Sequence, residues 1–182
     1  MESVVRNCVI LELVEQLQFK HSWCGETHIQ KATYFLQELT KVETNFDYVL
    51  YKHGPFSFDL RDELSSLTAN RLVDWHPQSP YGSKCHVTSN GKELKSVLNE
   101  LINEYDLAIE FVSEHLAREN VAELERLGTA LYFIKSDSSL NSEALARKVH
   151  EIKPHVSYAE AYKAVTRVRE LEDEWASSNV SA

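Results

Sequence analysis

Residues 46–70 read FDYVLYKHGPFSFDLRDELSSLTAN, and this stretch decides the fold. Phe46–Tyr51 alternates and is rich in aromatic and β-branched residues, which predicts a strand. Lys52-His53-Gly54-Pro55-Phe56 is a turn by composition. Ser57 is placed to cap a helix, with Asp59 in the first turn beside the positive end of the helix dipole. Leu60, Leu64 and Leu67 give that helix, over 57–70, an inner face. Strand, turn and capped helix in so few residues describe a small β element set into helices.

Working outward, two helices are predicted ahead of this unit. Residues 4–18 place Val5, Val9, Leu13 and Leu17 four apart, with Ile10 and Val14 beside them, and residues 26–39 repeat the pattern through Ile29, Ala32, Leu36 and Leu39. Behind the unit, Arg71–His76 and Lys84–Thr88 read as strands of a hairpin with a loop over 77–83. A stripe from Leu94 to Leu116 predicts one long helix over 89–116, or two with a kink. Asn120 with Glu123, and Ser157 with Glu160, carry capping patterns that open two further helices, and a short helix over 142–151 stops before Pro154. Tyr34, Phe35, Tyr105, Tyr132, Phe133 and Trp175 fall on helical stripes and are expected in the core. The order is helix, helix, strand, helix, strand, strand, then about four helices. The fold class expected is mainly α (α+β). A winged-helix-like part over 1–90 precedes a helical part over 91–176, with a frayed tail over 177–182, all in a single domain.

Composition agrees. The chain has 182 residues, 43% hydrophobic and 26% charged, with 5 glycines and 4 prolines. Few turn formers mean long helices, and the apolar fraction excludes a disordered chain. Three sparse cysteines, Cys8, Cys24 and Cys85, do not make a disulfide framework and fit a reducing, cytoplasmic compartment. No apolar run is long enough to span a membrane, and no secretory leader is expected at the N-terminus. The formal charge is −9; residues 1–90 carry 8 basic and 11 acidic side chains, and residues 91–182 carry 11 and 17. Neither half has the basic footprint of a strong nucleic-acid binder.

Several residues are familiar together. Thr27–Leu36 (THIQKATYFL), the aromatic strand, Tyr51–Ser57 (YKHGPFS) and the helix ending Ala69-Asn-Arg-Leu-Val73 resemble the YwgA-like family. That family is similar to the Panacea (SocA-like) antitoxin domain. Both carry a QK-x-x-Y-F/L helix and a GP-x-S turn. His86–Gly91, Asn120–Phe133 and Val149–Pro154 extend the resemblance, which covers about residues 25–175. It implies a helical fold with a small winged-helix-like β element and no established catalytic residues; no cofactor is expected. The Panacea likeness implies neutralisation of a toxin by protein contact.

The strongest candidate surface is Lys52, His53, Gly54, Pro55, Phe56, Ser57 and Arg61. Gly and Pro shape a turn, and three cations stand beside an aromatic ring. The corner suits protein or anion binding; it equally suits a purely structural strand-to-helix turn. The helix over 57–70 occupies the slot of a DNA recognition helix, but Asp59, Asp62 and Glu63 against Arg61 oppose a phosphate-lined groove. Sequence-specific DNA binding is therefore the alternative to a non-enzymatic protein-binding module. His21, Cys24, His28, Cys85 and His86 are metal-capable, but lack the paired short spacing of a structural zinc site. Cys24 before a helix start could have a lowered thiol pKa with His28 one turn away. Trp75 is a candidate exposed aromatic, with packing of the hairpin onto the helices as its other use.

Overall fold

The computed structural model describes residues 1–79 and 82–179. About 66% of the described residues are helical, and among them are two small antiparallel two-stranded sheets. The elements are α1 (Ser3–Phe19), α2 (Glu26–Glu38), β1 (Val49–Tyr51), β2 (Gly54–Phe56), α3 (Phe58–Ala69), β3 (Val73–Gln78) and β4 (Gly82–Val87). They continue with α4 (Ser89–Val97), α5 (Asn99–Ile102), a 3₁₀ turn (Asn103–Tyr105), α6 (Asp106–Leu116), α7 (Val121–Ser136), α8 (Ser142–Ile152) and α9 (Tyr158–Asn179). No helix among the described residues is long and apolar enough to cross a membrane.

The core forms around α1 and α2. Along α1, Cys8, Val9, Ile10, Leu11, Leu13, Val14 and Leu17 are all fully buried, so the helix is surrounded rather than one-sided. Helix α2 is buried continuously from His28 to Leu36. Helix α6 packs on both, α7 packs on α2 and α9, and α8 lies against α7 and α9. One hydrophobic cluster joins the N-terminal and C-terminal parts, from Cys8 to Leu171. Tyr34 and Phe35 are buried, while Tyr105, Tyr132, Phe133 and Trp175 pack half-buried against the cluster.

The expected caps form. Ser57 Oγ accepts from Leu60 N at 3.1 Å, and Asn120 Oδ1 from Glu123 N at 3.0 Å. Ser157 and Glu160 bond reciprocally, with Glu160 N donating to Ser157 Oγ at 3.3 Å and Ser157 N to the Glu160 carboxylate at 2.9 Å.

Several boundaries differ from the sequence reading. The strand expected over 46–51 is only β1, because Gln37 pairs with the backbone of Phe46: it accepts from Phe46 N at 2.9 Å and donates to Phe46 O at 3.1 Å. A side chain there takes the place of a partner strand. The turn expected over 52–56 shrinks to Lys52 and His53, since Gly54–Phe56 pairs back on β1 with Tyr51 opposite Gly54 and Val49 opposite Phe56. The loop expected over 77–83 loses Pro77, Gln78, Gly82 and Ser83 to the strands; Pro80 and Tyr81 lie outside the described residues.

The helix expected over 89–116 is broken into α4, α5, the 3₁₀ turn and α6. At the first break Leu98 N bonds both Leu94 O and Lys95 O, and exposed Val97 and Leu101 do not share the buried face of Ile109 and Val112. Finally, α9 extends to Asn179, three residues past the expected end at 176. Residues 180–182 lie outside the described residues.

Candidate functional site

The Gly54-Pro55 turn is built from beneath. Gly54 has φ +83°, and a Cβ on it would stand 3.1 Å from Thr129 Oγ1 and 3.3 Å from Glu125 O of α7. A Cβ on Gly128 would meet Lys31 Cδ at 3.1 Å and Pro55 Cδ at 3.3 Å. Two glycines thus let β2 approach α7 closely, and the Lys31 side chain runs between them. Its Nζ donates to Pro55 O at 2.7 Å. Burial pushes the Lys31 amine down to about 8; Glu125 nearby opposes this shift and Lys153 adds to it. Gln30, also buried, accepts from Ser57 N at 2.9 Å and donates to Ser57 O at 2.8 Å.

A second lysine holds the outer strand. Lys153, at the end of α8, donates to Tyr51 O at 3.3 Å and to Lys52 O. The same Nζ is 2.9 Å from the buried Glu125 carboxylate. His53 Nδ1 and His155 Nε2 flank that carboxylate at 3.5 and 3.4 Å. Burial alone would raise the Glu125 carboxyl; Lys153 and the two imidazoles outweigh it and hold it below the ordinary range. A groove of about 550 Å³ opens over this carboxylate, between the β1–β2 turn and the loop after α8.

The seven residues singled out in the sequence therefore divide. Gly54, Pro55 and Ser57 are buried and hold the turn in place; they offer no side chain to a partner. Lys52, His53 and Arg61 are exposed, and Phe56 is half-buried. Two aromatics join Phe56 from outside that set. Tyr51 and Phe58, 57% and 43% exposed, stand with their ring centroids 5.9 and 5.2 Å from that of Phe56 and 5.8 Å from each other. The Arg61 guanidinium lies 5.0 Å from the Phe58 ring centre and 6.0 Å from that of Phe56. The signal for this cluster was present in the sequence as three aromatics within eight residues. Gln30 and Lys31 stand in the QK-x-x-Y-F/L pattern, with nothing in the sequence to show that they reach the Gly-Pro turn, and Glu125 and Lys153 carry no signal of their own.

Helix α3 has two polar sides. Asp59, Asp62 and Glu63 line a cleft with Arg6 and Phe46, where Glu63 pairs with Arg6 at 2.9 Å. Arg61, Ser65 and Thr68 face a groove of about 750 Å³ shared with Trp23, Trp75 and the start of α2. Trp75 is half-buried there, its indole N–H donating to Thr68 Oγ1 at 3.1 Å.

The thiol expectation is overturned. Cys24 is fully buried and its thiol is pushed up to about 12 by burial, not lowered. His28 Nε2 is occupied by Glu119 O at 2.9 Å. All three cysteines are free. Cys85 N bonds Cys24 O at 3.0 Å, so the two metal-capable segments do meet. Even so, no group of three or more His, Cys, Asp or Glu placed to hold a metal occurs among the described residues. His86 instead stacks on His76, with ring centres 4.6 Å apart.

Compared with known proteins, the chain matches no family model and no curated protein.

Proposed function

We propose that this protein is a non-enzymatic, cytoplasmic protein-binding module of the YwgA-like, Panacea-related kind, acting as an antitoxin or regulatory adaptor through the corner around Gly54-Pro55. The observation that carries this reading is the aromatic triad of exposed Tyr51 and Phe58 about half-buried Phe56, with Arg61 against it. Aromatic and arginine side chains are enriched where protein interfaces gain most of their energy, the rings because they bury large area at small entropic cost. The buried polar bonds beneath the turn hold that triad rigidly, which lowers the ordering cost of binding.

The alternative is a winged-helix DNA-binding regulator, with α3 as recognition helix and β3–β4 as wing. The order of α1, α2, α3 and the hairpin favours it, as does the Arg61, Ser65 and Thr68 face of α3 beside the hairpin. The charge of −9 and the exposed Asp59 and Asp62 oppose it.

The test is affinity capture of the tagged chain from its native cells, in parallel with a Tyr51→Ala/Phe58→Ala variant. Both side chains are exposed, so the variant is expected to fold. One stoichiometric protein captured by the wild type and lost from the variant is the expected result. Equal capture by both, or recovery of DNA alone with binding that weakens steeply as salt rises, overturns the proposal.

A further inference from the structure

The aromatic triad does not stand alone. Tyr51 belongs both to the triad and to the wall of the groove over Glu125, so triad and groove form one continuous track across the β1–β2 hairpin. The exposed ionisable side chains along it are Lys52, His53 and His155 at the groove and Arg61 at the far end. The carboxylate in the groove, Glu125, is 9% exposed and already paired with Lys153. Asp62 approaches Arg61 at 3.8 Å, but it and Asp59 line the separate cleft on the other side of α3. A chain of charge −9 thus carries a track of apolar rings edged by basic and imidazole groups.

Resting on the protein-binding reading, the geometry points to an acidic segment of a partner protein as the occupant of this track, with its aromatic or aliphatic anchors on Tyr51, Phe56 and Phe58 and its carboxylates beside Lys52, His155 and Arg61. Against a net charge of −9, it is the local charge of the track that selects the partner at contact, while the rings supply the buried area. Single-stranded nucleic acid also combines negative charge with stackable rings. Here, however, the rings pack tilted and edge-on against one another at 44–74° and Phe56 is half-buried, so they offer no row of free faces.

The experiment uses the full chain on an array of synthetic peptides. Each peptide carries aromatic anchors flanked by glutamate, glutamine or lysine, and labelled oligothymidine serves as the competing probe. The wild type is expected to prefer glutamate-flanked over lysine-flanked peptides by about tenfold or more at low salt. Lys52→Glu/His155→Gln, both exposed positions, should erase that preference, and Tyr51→Ala/Phe58→Ala should weaken binding to every peptide. Equal or stronger binding of lysine-flanked peptides overturns the inference. So does a preference that survives Lys52→Glu/His155→Gln, or tighter binding of oligothymidine. If no peptide binds while cellular capture still depends on Tyr51 and Phe58, the acidic occupant is wrong and the protein-binding reading stands. Loss of both removes both.

Discussion

The hairpin β1–β2 has three-residue strands and β3–β4 has six-residue strands, yet the shorter one is the more deeply embedded. Gly54 and Pro55 of β2 are buried, whereas β3 and β4 bury only Val73 and Cys85. A two-stranded hairpin is marginal on its own ladder, and a three-residue one more so. The short hairpin is held by bonds from outside: Gln30 and Lys31 of α2 from beneath and Lys153 from the end of α8. The long hairpin has a ladder twice as long and apolar contact through Val73, Cys85 and half-buried Trp75 and Val87. Its outside bonds meet it at Cys85 and Trp75: Gln18 Nε2 donates to Cys85 O, Cys85 N to Cys24 O at 3.0 Å, and Trp75 Nε1 to Thr68 Oγ1 at 3.1 Å. Its outer residues are exposed. The bonds from Gln30 and Lys31 are buried, so water cannot replace them, whereas those from Lys153 are part-buried.

The largest effect expected from this contrast is at Gln30. Gln30→Leu leaves the buried Ser57 N–H without a partner and strips Ser57 O of one of its two donors, Arg61 N at 3.3 Å remaining, at a cost of about 3.5 kcal/mol in chemical denaturation. A loss under about 1 kcal/mol would show that the short hairpin does not depend on these bonds.

The next effect compares two glycines of similar φ. Gly54 has φ +83° against packed atoms of α7, and Gly82 has φ +89° with open space where a methyl group would stand. Both Ala variants carry the backbone strain, so Gly82→Ala should cost about 1 kcal/mol and Gly54→Ala about 3 kcal/mol. Equal losses of thermal stability would mean that β2 moves away from α7 without penalty.

The smallest effect is a pH dependence. In the folded chain burial holds Lys31 at about 8, against an ordinary 10.5. Between those values the unfolded chain binds more protons than the folded one, so stability rises with pH. Lys31→Met has no such titration. The stability of wild type relative to Lys31→Met should therefore increase by on the order of 2 kcal/mol from pH 8 to pH 10.5, measured by urea unfolding at each pH. A flat difference would place the Lys31 amine in contact with solvent.

The same contrast separates what was legible in sequence. The apolar spacing of Val5, Val9, Leu13 and Leu17 located α1, because helix periodicity is written locally. Ser57, Asn120 and Ser157 announced helix starts, because a cap acts within three residues. The β3–β4 hairpin was legible for the same reason, although Pro77 and Gln78 were assigned to its loop. The short hairpin is half legible: the alternation of Phe46–Tyr51 points to β1, but Gly-Pro is ordinary turn chemistry and only Lys31, Thr129 and Gly128 show why β2 lies flat on α7. Within the candidate surface, the sequence singled out Phe56 and Arg61 but not Tyr51 and Phe58, whose rings reach each other only when β1 folds back on β2.

By itself, then, the sequence determined most of the helices, the caps at Ser57, Asn120 and Ser157, the longer hairpin and the acidic charge, but not the breaks between Leu94 and Leu116. The tertiary structure decided which polar residues are interior, which aromatics form one surface, and that Cys24 is an inert buried thiol. The reason is range: caps and periodicity act over a few residues, whereas Lys153 and Tyr51 lie 102 residues apart and meet only because α8 folds back over the hairpin.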